Sequence, residues 1–168
     1  SLSGNRDSKD PRNSLFMDYL RFVDEFKPKF FIMENVPGIL SSKTRKKEFV
    51  NELIKVEAEK IGYRLNIFKL NAANFGVPQS RNRVFFIGLR KDIPYNYNYL
   101  APIITHPQDK QITIDEAISD LPILEAGEGA EEMEYKIDAN NNYQTWCRES
   151  SKYIYNHIAM KHTSRLVE

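Results

Sequence analysis

Residues 79–88 read Gln-Ser-Arg-Asn-Arg-Val-Phe-Phe-Ile-Gly, a polar triplet at two-residue spacing that runs directly into an apolar segment. The apolar segment predicts a buried strand near Arg83–Leu89. If the backbone is extended from Gln79 onward, the period of two places Gln79, Arg81 and Arg83 on one face. Two guanidinium groups and an amide on one face suit phosphate oxygens and the acceptor atoms of base edges.

A second segment, residues 31–38, reads Phe-Ile-Met-Glu-Asn-Val-Pro-Gly. It places an acid, Glu34, and an amide, Asn35, at the carboxyl end of another short apolar run, where open α/β sheets bind their ligands. Together the two segments predict half of an active site that acts on a nucleobase. Taken alone, Glu34 is better explained as a strand-end acid in a surface ion pair, and either arginine fits an edge-strand charge that discourages aggregation. The whole set of residues together favours the site.

The apolar periodicity predicts an α/β fold. The elements of the first half are helices near Ser14–Phe26 and Arg45–Ile61 and strands near Lys29–Glu34, Tyr63–Leu70 and Arg83–Leu89. The last two strands are close enough in sequence to pair antiparallel. The pattern then weakens to a short helix near Ile112–Leu121, an acidic mobile loop over residues 125–142, and helical parts within Tyr143–Leu166.

Charge is distributed unevenly along the chain. Residues 1–91 hold 18 Lys/Arg against 10 Asp/Glu, a net of +8, whereas residues 92–168 hold 6 against 13, a net of −7. A basic first half fits a polyanionic partner such as nucleic acid. The alternative is that Lys43, Arg45, Lys46 and Lys47 form the solvated face of a basic helix.

Composition limits which kinds of protein this chain can be. One cysteine excludes an internal disulfide and a Cys-rich zinc site, and the three histidines lack metal-ligand spacing, so no metal is expected. The chain has no apolar run long enough to span a bilayer and no secretory signal. We therefore expect a cytoplasmic protein without membrane contact, associated with the nucleoid if it is bacterial.

Glu-Asn-Val at residues 34–36 and Gln-x-Arg-x-Arg at residues 79–83 resemble two signature segments of DNA (cytosine-5) methyltransferases. Phe-Gly-Val-Pro at 75–78, Ser-Leu-Ser-Gly at 1–4 and Asp-Pro-Arg-Asn-Ser-Leu at 10–15 also fit that family. The resemblance implies the C-terminal half of a Rossmann-like class I S-adenosylmethionine-dependent methyltransferase sheet. The sheet would be incomplete, because the strand that bears the methyl-donor loop is absent, so one edge should be exposed, apolar and prone to pair with another chain. Residues 1–91 would then belong to the catalytic domain, and residues 92–168 to an irregular acidic connector toward a target-recognition region.

The resemblance also implies a reaction, in which S-adenosylmethionine methylates C5 of a flipped cytosine in double-stranded DNA, within a restriction-modification system. A thiolate adds to C6, and Glu34 would assist by protonating or hydrogen-bonding N3. Arg83 would contact the cytosine O2 and a neighbouring phosphate, and Arg81 the phosphates of the flipped nucleotide. Gln79 would hold the loop or the sugar-phosphate, and Asn35 would brace the turn after its strand.

Four further residues have roles implied by the family. Ser1, Ser3 and Arg12 would lie on a mobile loop that closes over DNA and contacts phosphate. Leu15 would touch the methyl donor, with core packing as the equal alternative.

The family's Pro-Cys-Gln nucleophile segment does not occur in this sequence, and Cys147, in a different context, is interpreted as structural. The chain would then be an internal fragment or one part of a split enzyme, inactive alone and completed by a polypeptide that carries the thiol. Two alternatives stay open: a relative that methylates transfer RNA, and a non-catalytic subunit of a split methyltransferase. The target-recognition region would separate the two substrates.

Overall fold

The computed structural model describes residues 15–44, 46–94, 101–149 and 151–161. Two compact units are present, one within Ser1–Phe75 and Ser80–Thr105 and the other within Gly76–Gln79 and His106–Glu168. Across these described ranges, no helix is both long and apolar enough to cross a membrane. The helices are α1 (Leu15–Phe26), α2 (Val50–Lys60), α3 (Ile114–Ile118) and α4 (Asn142–Arg148), and the strands are β1 (Phe30–Asn35), β2 (Tyr63–Asn71), β3 (Asn82–Arg90), β4 (Gly129–Glu134) and β5 (Tyr153–Ile158).

The first unit is built on a three-stranded sheet in the order β1-β3-β2. The central strand, β3, runs antiparallel to both neighbours. The three strands predicted from the apolar runs are confirmed, and so is the antiparallel pairing of the second with the third. Pro37 begins a 3-10 turn that ends at Leu40, so the chain leaves β1 where the proline and glycine predict.

Helices α1 and α2 cover one face of this sheet. Phe31 of β1 packs with Leu20 and Val23 of α1, and fully buried Phe86 of β3 packs with Ile54 of α2. These helices form because their apolar residues recur every three to four positions and therefore share one side. Burying large side chains from all three strands against both helices supplies most of the unit's stability.

The opposite face of the sheet is open at β1. Phe30 and Ile32 point away from the helices, and each is more than half exposed. Among the described residues β1 has one strand neighbour, so its other edge is unpaired. The prediction of an exposed apolar sheet edge is confirmed, and its pairing with another chain stays a prediction.

The prediction that the second helix begins at Arg45 is wrong, because α2 begins at Val50. Lys43 and Phe49 form an isolated antiparallel bridge around a tight turn in which Lys47 has a φ of 64°. The Lys47 amide donates to the Thr44 carbonyl at 2.9 Å, and the Val50 amide donates to the Ser42 carbonyl at 3.0 Å. The described lysines therefore lie in a turn, and the interpretation of a basic helical face is wrong with them.

The second unit contains an antiparallel pair of strands, β4 and β5, which corrects two predictions. Residues 129–134 are a strand and not part of a mobile loop, and residues 153–158 are a strand where helical parts were predicted. The helical prediction is confirmed at α4, and the short helix predicted over residues 112–121 is confirmed over its central residues as α3. Strand β4 has few strand-forming residues, so it depends on the backbone hydrogen bonds that β5 provides.

Helix α3 begins with a capping box at Thr113 and Glu116. The Glu116 amide donates to the Thr113 hydroxyl at 3.1 Å, and the Thr113 amide donates to the Glu116 carboxylate at 2.8 Å. The backbone hydrogen bond from Thr113, followed by the one from its hydroxyl, lowers the pKa of Glu116 below its usual value. Because the ionised form is favoured in the fold, this cap is weakened as the pH falls through that lowered pKa.

An ion pair organises the second unit. Both Nε and Nη2 of Arg148 donate to one oxygen of Asp120, at 2.9 and 2.6 Å, and the Asp120 side chain is only 4% exposed. The same guanidinium donates to the Ile137 carbonyl at 3.0 Å and lies 3.7 Å from the ring centroid of Tyr135. One side chain therefore joins α4 to residues 120, 135 and 137.

We predict that Arg148→Ala destabilises the second unit by about 3–5 kcal/mol, because it leaves the Asp120 carboxylate buried without its partner. The control is Arg21→Ala, which removes a solvent-exposed pair with Asp18 and should cost less than about 1 kcal/mol. Hydrogen exchange of the Ile154 amide in each variant measures the difference. Equal protection of that amide in both variants would contradict this role for Arg148.

Candidate active site

The candidate site is centred on an ion pair between two residues that the sequence singles out. Arg83 Nε lies 2.6 Å from Glu34 Oε1, with the Arg83 side chain 22% exposed and the Glu34 side chain 50% exposed. Arg83 Nη1 also donates to the Asn82 carbonyl at 2.9 Å, which fixes the plane of the guanidinium. The pair is therefore oriented and still accessible to a ligand.

Strand register explains why these two side chains meet. Glu34 of β1 lies opposite Phe85 of β3, and Arg83 precedes Phe85 by two residues, so both project from the same face. A diagonal separation of this kind is within reach of long side chains across an antiparallel pair. The face is the one that α1 and α2 leave uncovered, as half-exposed Ile32 beside Glu34 shows.

Arg81 and Gln79 precede β3 and do not belong to it. The strand begins at Asn82, and the backbone bends at Pro78 and Gln79, where the Gln79 amide donates to the Val77 carbonyl at 2.7 Å. The condition for one shared face, an extended backbone from Gln79, is therefore not met, because the residue after Pro78 closes a turn. Arg81 is exposed, and within the described part of the chain no acidic side chain pairs with it.

Asn35 lies at the end of β1, beside Glu34. Its Oδ1 accepts a hydrogen bond from the Val36 amide at 2.8 Å, just before the 3-10 turn that Pro37 begins. Such a bond holds the chain as it leaves the strand, and it fixes the backbone next to the acid. The function of Asn35 as a brace stays a prediction.

Gly76 and His106 make a close contact that the sequence reasoning missed. Gly76 has a φ of +82°, and a Cβ built on it would lie 2.8 Å from His106 Cε1. The histidine ring therefore packs against a backbone that only glycine allows, in the residues that lead to Gln79. Gly76 and Pro78, two residues apart, are typical of a turn, but nothing in the sequence indicates which side chain fills the space.

The other predicted residues are distributed as follows. Leu15 is the first residue of α1, and its side chain is exposed. Ser1, Ser3 and Arg12 lie outside the described residues. Cys147 lies exposed on α4, within the second unit. In the described part of the chain, no three His, Cys, Asp or Glu side chains form a group that could hold a metal ion.

Comparison with known sequences identifies the family of this chain. The sequence pattern of C-5 cytosine-specific DNA methylases matches residues 1–166. The chain belongs to the C-5 cytosine-specific DNA methylase family. The Type II methyltransferase M.DdeI of Desulfomicrobium norvegicum is 53% identical over 168 residues, and M.Bpa9945I of Bacillus paralicheniformis, also a Type II methyltransferase, is 38% identical over an alignment that covers 90% of this chain.

The chain spans 40% of the length of M.DdeI and 36% of the length of M.Bpa9945I. Among solved structures, a protein from an Escherichia coli prophage, described as a candidate DNA modification methyltransferase, aligns with a TM-score of 0.67. That alignment covers 93% of this chain and 49% of the other, at 24% identity, so it supports the fold alone. The α/β fold is therefore shared with DNA methyltransferases.

We predict that Gly76→Ala destabilises its turn more than Gly62→Ala does. Both glycines have a positive φ, +82° and +93°, so both substitutions carry a similar backbone cost of about 1 kcal/mol. A Cβ at Gly62 meets nothing within 4 Å, whereas one at Gly76 collides with the ring of His106. Thermal unfolding of both variants measures the excess. If adding His106→Ala to Gly76→Ala leaves that excess unchanged, the collision is not its cause.

Proposed function

We propose that this chain is the base-recognition part of a DNA cytosine-5 methyltransferase of a restriction-modification system. The complete enzyme would transfer a methyl group from S-adenosylmethionine to C5 of a cytosine flipped out of double-stranded DNA. Membership of the family supports the reaction class, and the Type II relatives support a DNA substrate. The proposal has three further parts. The enzyme is cytoplasmic, and its sheet is the C-terminal half of a Rossmann-like sheet. Residues 1–91 belong to the catalytic domain, and residues 92–168 to the connector toward a target-recognition region.

The observation that carries the proposal is the Glu34–Arg83 pair on the uncovered face of the sheet. The Watson–Crick edge of cytosine presents an amine donor at N4, an acceptor at N3 and an acceptor at O2. A carboxyl group beside a guanidinium presents acceptor and donor groups in the complementary order once the carboxyl is protonated. An adjacent acid and arginine on one face therefore match one edge of this base.

Glu34 has the chemistry that addition to C6 requires. When a thiolate attacks C6, negative charge develops on the ring and reaches N3 and O2. Glu34 would accept a hydrogen bond from N4 and deliver a proton to N3, while Arg83 would stabilise charge at O2. In the complete enzyme, S-adenosylmethionine would supply the methyl group to C5 and leave as S-adenosylhomocysteine. A base would then remove the C5 proton, N3 would return its proton to Glu34, and the thiolate would leave C6. The thiol would come from a Pro-Cys-Gln segment, which is not among these residues.

The described residues do not by themselves fit the methyl donor. S-adenosylmethionine carries an amino-acid group, a ribose and a sulfonium charge, all of which need polar partners. Leu15, the one residue assigned to this contact, supplies exposed apolar surface and no hydrogen-bonding side chain. The family implies S-adenosylmethionine as the donor, and we assign its transfer chemistry to no residue of this chain.

Phosphate binding would fall to the first half of the chain. Arg81 is exposed and precedes Arg83 of the ion pair by two residues in the sequence. Residues 1–91 carry the net charge of +8. Guanidinium groups bind phosphate oxygens through paired hydrogen bonds, and the release of counterions favours such contacts at low salt. Ser1, Ser3, Arg12 and Gln79 would add contacts along the nucleotide backbone, as the family resemblance implies.

We predict that Glu34→Gln reduces methyl transfer far more than DNA binding. In the polypeptide encoded at the native locus, Gln still accepts a hydrogen bond from the base but cannot supply a proton. We expect kcat to fall by about 10²–10⁴-fold, with the Kd for duplex DNA changed less than about threefold. Transfer of tritium from labelled donor to duplex DNA measures kcat, and mass spectrometry of digested DNA identifies 5-methylcytosine as the product.

Glu59→Gln is the control for that substitution, because it changes the same groups at an exposed position of α2. Glu59→Gln should leave both kcat and the Kd for duplex DNA unchanged. Equal losses of binding and turnover in Glu34→Gln would show that Glu34 is structural only. Methylation of transfer RNA in place of duplex DNA by the unaltered polypeptide would replace the DNA substrate with the RNA alternative.

We predict that Arg81→Ala weakens DNA binding with little effect on kcat. Loss of one phosphate contact should reduce the slope of log Kd against log salt by about one, so the defect shrinks as salt increases. Arg21→Ala, an exposed arginine of α1, is the matched control and should leave the slope unchanged. Binding isotherms at four salt concentrations decide the result, and a defect of constant size at all four would contradict a phosphate contact.

A further inference from the structure

We propose that Asn71 is a positioning residue that holds Arg81 in place for DNA. This inference rests on the proposed function, and it assigns a role to a residue that neither the motifs nor the family resemblance singled out. Asn71 is the last residue of β2 and lies opposite Asn82, the first residue of β3. It therefore sits at the base of the connection that ends in the exposed arginine.

One amide side chain makes three hydrogen bonds at this base. Asn71 Oδ1 accepts from the Ala73 amide at 3.1 Å and from the Arg81 amide at 3.0 Å. Asn71 Nδ2 is 3.1 Å from Ser80 Oγ, to which it donates. The Oδ1 acceptor thus links Ala73, just after β2, to Arg81, just before β3. The Nδ2 donor adds a further hydrogen bond on the β3 side, at Ser80.

The backbone of Arg81 is fixed on both sides as a result. Its amide donates to Asn71, and its carbonyl accepts from the Ala72 amide at 3.0 Å. The Arg81 side chain remains exposed, so its origin is rigid while its guanidinium is accessible. A preorganised origin lowers the entropy that binding a phosphate must remove, and the benefit should therefore appear in the affinity for DNA.

Asparagine suits this position because it combines an acceptor with two available lone pairs and a donor on one short side chain. Alanine at position 71 would remove all three hydrogen bonds, and the backbone amides of Ala73 and Arg81 would then have to hydrogen-bond to water. Glutamine would keep the same groups but move them outward by one methylene. Ser80→Ala would remove only the donor's partner and leave both backbone bonds of Oδ1 intact.

The test is a double-mutant cycle on DNA affinity in the polypeptide encoded at the native locus. We expect Asn71→Ala to raise the Kd for a duplex oligonucleotide about fivefold and Arg81→Ala about tenfold. If Asn71 acts through Arg81, the double variant binds no more weakly than Arg81→Ala alone. The kcat at saturating DNA should stay within about twofold in Asn71→Ala, since the Glu34–Arg83 pair is made by other strands' side chains.

Asn66→Ala is the matched control, because it makes the same change in the same strand, at a residue outside the site. It should leave the Kd unchanged, and Ser80→Ala should raise it less than about twofold. If Asn71→Ala does not fold, as judged by circular dichroism, the same cycle with Asn71→Gln decides the question, with an expected rise of about two- to threefold.

Two results would overturn the inference. The first is an increase in Kd of the same factor whether or not Arg81→Ala is present, which would indicate a general structural role. The second is an Asn71→Ala protein whose Kd is unaltered while that of Arg81→Ala is raised. Failure of the proposed function is distinct: there, the unaltered protein does not bind or methylate duplex DNA, and the positioning role fails with it.

Discussion

The position of β3 between two antiparallel neighbours is the constraint on which the first unit depends. Burial alternates over residues 83–88, so fully buried Val84 and Phe86 face the helices while Arg83 faces away from them. A slip of one residue in the pairing with β1 would exchange these faces. It would expose Phe86 and remove Arg83 from Glu34. The same strand register therefore sets the core packing and the site geometry. A shift in register that separated the ion pair would also lose the free energy of burying the core side chains.

The sequence was sufficient for the strands of this sheet, because each signal there is local. It also singled out Glu34 and Arg83, whose function stays a prediction. Short apolar runs bounded by Pro28, Pro37 and Gly62 identify the strands, and an acid or arginine at a strand end is visible without coordinates. The Glu34–Arg83 contact was not predictable in this way, since it depends on strand register. Period-two spacing also says nothing of where a strand begins, so it did not decide whether Gln79 and Arg81 belong to β3.

The errors in the second half have a common physical cause. Residues 129–134 read Gly-Ala-Glu-Glu-Met-Glu, which has almost no intrinsic preference for a strand. The segment is a strand because β5 supplies its hydrogen-bonding partners and because Met133 pairs with buried Ile154. Similarly, no local pattern shows that Arg148 would find Asp120, 28 residues earlier. Tertiary contacts, which decide these elements, leave little trace in a polar sequence.

The exposure of the Glu34–Arg83 pair bears on how the proposed site would work. An ion pair that is half exposed contributes little to stability, so a base can displace Arg83 from Glu34 at small cost. Once separated, each side chain is available to a ligand, Glu34 as a hydrogen-bond acceptor and Arg83 as a donor. A pair that was buried and fully satisfied would have to lose stabilising contacts before either group could bind. Partial exposure therefore suits two side chains that are proposed to exchange their mutual contact for contacts with a base.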